Sequence, residues 1–303
     1  MTAPDVSVVL VSYNSSGFVG ECLASLTEGL RDHTHEAILV DNASRDGSAE
    51  HVRQAFPWVR VIESGENAGF ARANNLGLAQ SRGRVLLLLN CDTVVAPGAL
   101  DVLVRFLDAN PRAGVAAPRL LNPDLSDQAT ARSFPTAAAA LFGRRSALTR
   151  IFPRNRWSRR YLSGRDRQTP EPFEVDWVSG ACLMLRRQVL EEVGGLDEGF
   201  YLYWEDADWC RRVKAAGYRV YCVPEARVVH QEGRSRRGWP PAQVWIFHKS
   251  VFRYYAKHHA RGWWNPLRPP VAAALAARAA LLILSSSIPR LPTLTRPWAK
   301  QAR

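Results

Sequence analysis

Hydrophobic and polar positions alternate in two rhythms over the first 120 residues. Short apolar runs, "VSVVLV", "EAILVD", "VRVIE" and "VLLLLN", are separated by polar and glycine-bearing stretches, and runs of this length bounded by turn residues read as strands. Between them apolar residues recur every three or four positions, as at Phe18, Cys22, Leu23, Leu26 and Leu30, the spacing of a helix with one face on a core. Helices are predicted over 18–30, near 48–56 and over 70–80, and a fourth opens at Pro97, a favoured first-turn residue. Val85–Leu89 shows no polar alternation and suits a strand covered on both faces, as in a parallel sheet. Strand–helix units with short connections predict an α/β fold, a doubly wound, mostly parallel central sheet with helices on both faces.

Ligands on such sheets gather beyond the carboxyl ends of the strands, and there the polar residues cluster. Strand one leads to Ser12, Tyr13 and Asn14, and strand two to Asp41 and Asn42 of "DNASRDGS". Strand three leads to Asn67 and Gly69 of "ENAGFARANN", and strand four to Asn90 and Asp92 of "NCDT". Each loop alone is an ordinary turn or helix cap; four on one edge predict a ligand rim. Asp92, following a buried strand, needs a partner for its charge.

Regular patterning lapses over 132–168, which holds breakers at Pro135, Pro153 and Gly164, and resumes at "FEVDWVSGACLMLRR". A loop follows, then a helix over about 205–216 opened by Glu205, Asp206 and Asp208, a strand over 218–223, and a short extended piece ending at His230. Acids in a first turn are what the helix dipole favours, and a lone histidine is more often structural, so none assigns a site by itself. A basic, aromatic helix over 244–259, "GWWNPLRPP" and the 14-residue run Val271–Leu284, interrupted by Arg278, make up much of the final part of the chain. That run falls short of the roughly 20 residues of a span, so it is expected to lie in a membrane interface. The pattern divides the chain into a body over 1–232 (a strand–helix half about 1–120, a basic insertion about 132–168, a second half about 173–232) and a basic helical extension over 233–303.

Charge sharpens this division. The net charge of +12 comes from two segments: 132–168 has ten arginines and one acid, and the chain after Glu232 has thirteen Lys or Arg and no acid. The remainder carries 27 acidic against 17 basic residues. Such segregation suggests a surface that meets something anionic, whether nucleic acid, phospholipid or a diphosphate-bearing substrate. Five cysteines without C-x-x-C spacing favour reduced thiols, and an N-terminus without a basic n-region predicts no signal peptide.

Taken in order, "VVLVSYNS", "LVDNASRDGS", "ENAGFARANNLG", "LLLLNCDT", "VSGACLMLRR", "GGLDEGFYLYWEDADWCRR" and "VVHQEGRS" resemble the inverting glycosyltransferases of family 2, which have the GT-A fold. The resemblance spans about residues 5–235. "IFPRNRWSRRY", "HKS" at His248–Ser250 and "GWWNPLR" look like the bacterial rhamnosyltransferases that extend polyprenyl-diphosphate-linked sugars, a likeness over nearly the whole chain.

This resemblance implies transfer of L-rhamnose from dTDP-rhamnose to a hydroxyl of a polyprenyl-diphosphate-linked glycan in cell-envelope polysaccharide synthesis, by a cytoplasmic enzyme peripheral to the inner face of the membrane. It sets Tyr13 and Asp41 against the nucleobase, with Ser12, Asn14 and Asn42 nearby. It sets Asn67 and the helix begun at Gly69 beside the diphosphate, where a helix N-terminus favours an anion. Asp92 matches the last position of the family's D-x-D and His230 its late histidine, implying a divalent cation, Mg2+ or Mn2+, on this pair. Asn90 stands where many relatives have aspartate; an amide brings no charge, so it is expected at the ribose or a metal-bound water. Asp206 matches the second residue of the family's Glu-Asp pair and is the expected general base, with Glu205 raising its pKa by like-charge repulsion. Trp177, Ser179 and Gly180 are expected to line the acceptor or sugar subsite.

Three other readings stay open. Thymine and uracil present the same imide, so a UDP-hexose or UDP-galactofuranose donor is the nearest alternative. A metal-dependent nucleotidyltransferase would carry a Gly-rich, Arg/Lys-bearing loop after strand one, where this chain has "SYNSSG". A nucleic-acid-binding module has only the pI of about 10.0 in its favour; basic segments beside an apolar helix favour a membrane, and no nucleic-acid partner is expected.

Overall fold

In the computed structural model, the described residues are 3–128, 130–134, 169–231 and 240–287. Most of the basic insertion, including its arginines from 144 to 167, lies outside them, as do 232–239 and the chain after 287. The chain divides into two compact units, Met1–Arg234 and Ser235–Arg303.

The first unit is built on a mixed sheet. Strands β1 (Val6–Ser12), β2 (His35–Asp41), β3 (Val59–Glu63) and β4 (Val85–Asn90) form a parallel set in the order β3-β2-β1-β4. The sheet continues through β10 (Cys182–Arg186), β6 (Ala113–Leu121), β11 (Arg219–His230) and β5 (Thr93–Val95). β10 runs antiparallel to both its neighbours, while β6 and β11 are parallel to each other. β8 (Phe173–Val175) pairs with β11, and β7 (Ala131–Arg132) with β9 (Trp177–Val178).

Alternation along the strands explains the layers. Val8 and Leu10 point to one face, where Cys22, Leu23 and Leu26 of α1 (Val19–Gly29) and Leu100, Leu103 and Leu107 of α4 (Ala99–Ala109) complete the main core. Ile38 and Val40 pack on the opposite face with Ala73 of α3 (Phe70–Gln80). α3 approaches so closely that a Cβ on Gly77 would lie 2.3 Å from Val9. α2 (Ser48–Ala55) joins β2 to β3. α5 (Arg187–Val193) and α6 (Glu205–Ala215) follow β10. This is the α/β arrangement expected from the pattern, with helices on both faces.

Two segments differ from that expectation. The strand at 218–223 and the extended piece after it are one element, β11, whose register against β6 shifts between Val223 and Arg227. Pro224 has no N–H to give a ladder, so a break there is natural. The shift lets the end of β11 pair with β5, setting His230 opposite Thr93. The helix expected at Pro97 starts at Ala99.

The second unit contains α7 (Pro241–His258), with Pro in its first turn, and α8 (Arg268–Ser287), which takes in the whole apolar run.

Candidate active site

The parallel register brings four strand ends together: Ser12 is paired with Asp41 and Asp41 with Glu63, while Asn90 pairs with Val11, one residue short of the end of β1. Ser12 is buried and its hydroxyl lies 2.7 Å from Ser15 Oγ. Tyr13 beyond it is exposed. Asn14 adopts φ 54°, and its Oδ1 accepts the Arg45 N–H. Asp41 is buried; one oxygen accepts the Ser44 N–H at 3.0 Å, and Oδ1 has no partner among the described residues. An orphaned buried acceptor costs about 1–3 kcal/mol, so Oδ1 is poised for a donor from outside. A cleft of about 340 Å³ opens beside it, lined in part by Ser44, Ser48, Arg53 and Glu63.

Asn42 and Asn67 have work within the protein. The Asn42 amide donates to Asn67 Oδ1 (3.0 Å), while its oxygen accepts the Ala68 N–H (3.0 Å). Asn67 Oδ1 also accepts the Gly69 N–H. Together they set the loop before α3. The start of α3 differs from expectation, because the Phe70 N–H is given to the carbonyl of Tyr201 at 2.7 Å. Gly69 has φ 84°, and a Cβ there would sit 2.5 Å from that carbonyl. This helix terminus therefore grips the loop leading to Glu205.

At the end of β4, the Asn90 N–H donates to Ala181 O and the Asn90 carbonyl accepts the Thr93 hydroxyl, while its side-chain amide has no partner among the described residues. Asp92 and His230 meet: Oδ1 lies 3.2 Å from Nε2. The ring's other nitrogen, Nδ1, is 2.6 Å from Oε1 of Gln128, whose amide nitrogen donates to the His230 carbonyl and to Asn122 Oδ1. With that nitrogen spent as a donor, Oε1 is the acceptor, so Nδ1 carries a proton and Nε2 is the ring nitrogen that faces Asp92. A partly exposed carboxylate beside an imidazole nitrogen held in place fits a divalent cation. No group of three or more metal-ligating side chains occurs among the described residues, so phosphates and water would complete the shell, as is usual for Mg2+. Gln128 was missed in the sequence because it lies 102 residues from its histidine.

Asp206 stands half-buried in the first turn of α6. The Gly180 N–H donates to Oδ2 at 3.0 Å, and the Ala207 N–H to Oδ1 at 2.8 Å. Gly180 also lies against the Phe70 ring; Ser179 accepts the Ala181 N–H. The β4 end, the 179–181 segment and the start of α6 thus form one connected edge. Trp177 is buried, its indole N–H donates to Ser133 O, and its ring stacks on half-buried Trp204 at 6.5 Å with the Arg132 guanidinium 4.7 Å away. Trp177 thus supports Trp204, which is nearer to solvent. Tyr203 and Trp204 both have positive φ, and strain of this kind tends to collect at functional sites. Asp208 is fully buried and paired with Arg212, which also donates to Val193 O and Gly195 O; it anchors α6.

Burial raises the pKa of Asp206 against the opposing pull of the Gly180 N–H, Arg132 and the Ala207 N–H. Glu205 is more deeply buried, its Oε2 has no partner among the described residues, and it is raised well above the usual carboxylate range by burial and then by Asp206. The expected like-charge repulsion thus falls on Glu205, in addition to its burial. Loss of solvent raises Asp206.

A mixed, largely parallel sheet with a polar rim, a carboxylate–imidazole pair and a desolvated carboxylate at its edge is the arrangement of a GT-A-like glycosyltransferase. The chain belongs to glycosyl transferase family 2, whose model matches residues 7–194. It is 33% identical over 291 residues to the N-acetylglucosaminyl-diphospho-decaprenol L-rhamnosyltransferase of Mycobacterium tuberculosis, covering 92% of this chain and 93% of that protein. It is 22% identical to a rhamnosyltransferase of Escherichia coli K12, over 83% of this chain and 93% of that one. Among solved structures, the mannosyltransferase PcManGT of Pyrobaculum calidifontis, in complex with GDP-Man and Mn2+, superposes with a TM-score of 0.57 at 20% identity, covering 94% of this chain and 80% of that one.

Proposed function

We propose that this glycosyltransferase moves L-rhamnose from dTDP-rhamnose to a hydroxyl of a polyprenyl-diphosphate-linked sugar, in an inverting single displacement at the inner face of the cell membrane. The observation that carries the mechanism is the half-buried Asp206 carboxylate, held by the Gly180 N–H on the edge joined to β4. Asp206 takes the proton of the acceptor hydroxyl while that oxygen bonds to the sugar's anomeric carbon. The bond to the diphosphate oxygen breaks, and the diphosphate leaves with the electron pair. Asp92 and His230 would hold Mg2+ or Mn2+, which neutralises charge growing on the diphosphate. Asp41 Oδ1 accepts the imide N–H of the base, and Tyr13 offers an exposed ring for stacking. Trp204, backed by Trp177, lines the acceptor side with Ser179 and Gly180. Likeness over 92% of this chain to the mycobacterial enzyme supports rhamnose as the transferred sugar and a lipid-diphosphate-linked acceptor.

A free acceptor at Asp41 serves uracil as well as thymine, so a UDP-sugar is the second reading. The test compares dTDP-rhamnose, UDP-glucose and UDP-galactose with a polyprenyl-diphosphate-GlcNAc acceptor, with Mg2+ or Mn2+ and with chelator. Metal-dependent transfer from dTDP-rhamnose, lost in Asp206→Asn and Asp92→Ala, is expected. Turnover with UDP-sugars alone would overturn the donor, and undiminished turnover in chelator would overturn the metal pair.

A further inference from the structure

Apart from Arg268 at its start, α8 has one charged side chain, Arg278, and that charge is turned inward. Its guanidinium donates to Nε2 of His248 at 3.1 Å, while the His248 Nδ1–H is given to the carbonyl of Val244 at 2.7 Å. Burial, with Arg278 adding to it, holds the ring below the usual imidazole pKa, so His248 stays a neutral acceptor. What α8 presents outward is Ala273, Ala274, Ala277, Ala280, Leu281 and Leu284, all exposed. Their three- and four-residue spacing puts them on one uncharged stripe, and a continuous exposed apolar stripe marks an interaction surface. The turn between the helices adds Trp263 and Trp264, which are 87% and 71% exposed. Lys249 and Arg253 on α7 and Arg261 in the turn are exposed, and nothing after Glu232 is acidic.

We propose that the α7–α8 hairpin is an in-plane membrane module: the outer stripe of α8 and the two tryptophans enter the headgroup–acyl boundary of an anionic phospholipid leaflet, and Lys249, Arg253 and Arg261 meet its phosphates. The inference deepens the proposed membrane location and rests on it. By length and composition Arg268–Ser285 is apolar enough to cross a bilayer. The Arg278–His248 contact decides against crossing. It sets the middle of α8 beside the part of α7 that carries Lys249 and Arg253. A spanning α8 would draw those charges into hydrocarbon, or break the contact and bare Arg278 there. Lying in the interface avoids both, and interfacial helices combine an apolar face with basic groups in this way.

The test is flotation of the full chain with phosphatidylcholine vesicles, with and without phosphatidylglycerol, and without acceptor or donor. Binding to the anionic vesicles is expected, with release by alkaline carbonate. Leu281→Gln with Leu284→Gln should weaken partition at least about tenfold with an unchanged melting curve, since both side chains are already exposed. Lys249→Gln with Arg253→Gln should weaken binding only to anionic vesicles and only at low salt. Retention through carbonate, flotation of the Leu pair at the wild-type level, or no flotation at all would overturn the proposal. Donor hydrolysis in detergent, expected unchanged in the Leu pair, reports on the transferase reading separately.

Discussion

At the scale of single residues, Asp206 and Glu205 are adjacent carboxyls with different tasks. Because burial sets Asp206, the acid limb of kcat/KM is expected above the ordinary carboxylate range, and Glu205→Gln should leave that limb in place. A downward move of the limb in the variant would mean that Glu205's charge, not loss of solvent, tunes the base. Stability runs with a definite sign. Glu205's folded pKa lies above its unfolded value, so its contribution is full below the unfolded value, about 4.3, and is lost as pH rises through the folded one. Wild-type Tm minus Glu205→Gln Tm should therefore shrink as pH rises from about 4 toward neutrality; a constant difference would show the side chain is not held protonated. Gln128 acts through His230. Gln128→Met removes the acceptor of the Nδ1–H and should weaken Mn2+ binding in the presence of dTDP by roughly 10–100-fold, read by calorimetric titration. Gln128→Glu keeps an acceptor and should recover much of that loss. The nitrogen shifts of His230 should report the Nδ1–H tautomer in wild type and its loss in the Met variant.

At the scale of elements, the joint between α3 and the loop before α6 has one weak point. Gly69 combines φ 84°, ψ 170° with a carbonyl where a Cβ would sit. Gly69→Ala is expected to cost about 2 kcal/mol or more, which for a domain of this size lowers Tm by roughly 4–8 °C. Turnover, measured well below the new Tm, should fall further than folding explains, because the Tyr201 carbonyl that meets this joint heads the loop delivering Asp206; equal loss of stability and turnover would refute the coupling. This joint was not legible in the sequence. "ENAGF" shows a loop and a helix start, but no local pattern reveals that Tyr201 takes the Phe70 N–H. Elements with a strong period were legible almost to the residue: α3 matches 70–80, and β4 is the run "VLLLLN". Two of those missed were short or lightly buried: β5 has three residues, and α5 has seven with Val189 alone buried, too little for a period to show. β6 is longer, nine mostly buried residues, but "AGVAAPRLL" is rich in alanine and carries a proline, so its apolar pattern is weak. Asp92 and His230 could be picked out by residue type and motif. Their 3.2 Å meeting needed the β11–β5 register, a long-range fact.

At the scale of the whole molecule, the proposed donors Asp92 and His230 would set how a cation couples to folding. They come from different strands, β11 and the β4–β5 turn, yet those strands are already joined by ladder bonds and by the Gln231 N–H to Asp92 O bond at 2.8 Å. The body therefore needs no ion to fold, and chelator alone is expected to leave its Tm unchanged. Two protein donors also bind a cation weakly by themselves, so Mn2+ alone should shift Tm little. Once a nucleoside diphosphate adds its oxygens, metal and nucleotide bind as one ligand. At about 100 times the joint Kd this adds roughly 2.7 kcal/mol, a rise on the order of 5–10 °C. Scanning calorimetry in four conditions (neither, Mn2+, dTDP, both) separates the cases. A large shift with Mn2+ alone would mean a more complete metal cage than Asp92 and His230 make, and additive shifts would mean that metal and nucleotide bind apart. The greater-than-additive shift should vanish in Asp92→Ala and persist in Asp206→Asn, because Asp206 is assigned to the acceptor and takes no part in holding the donor.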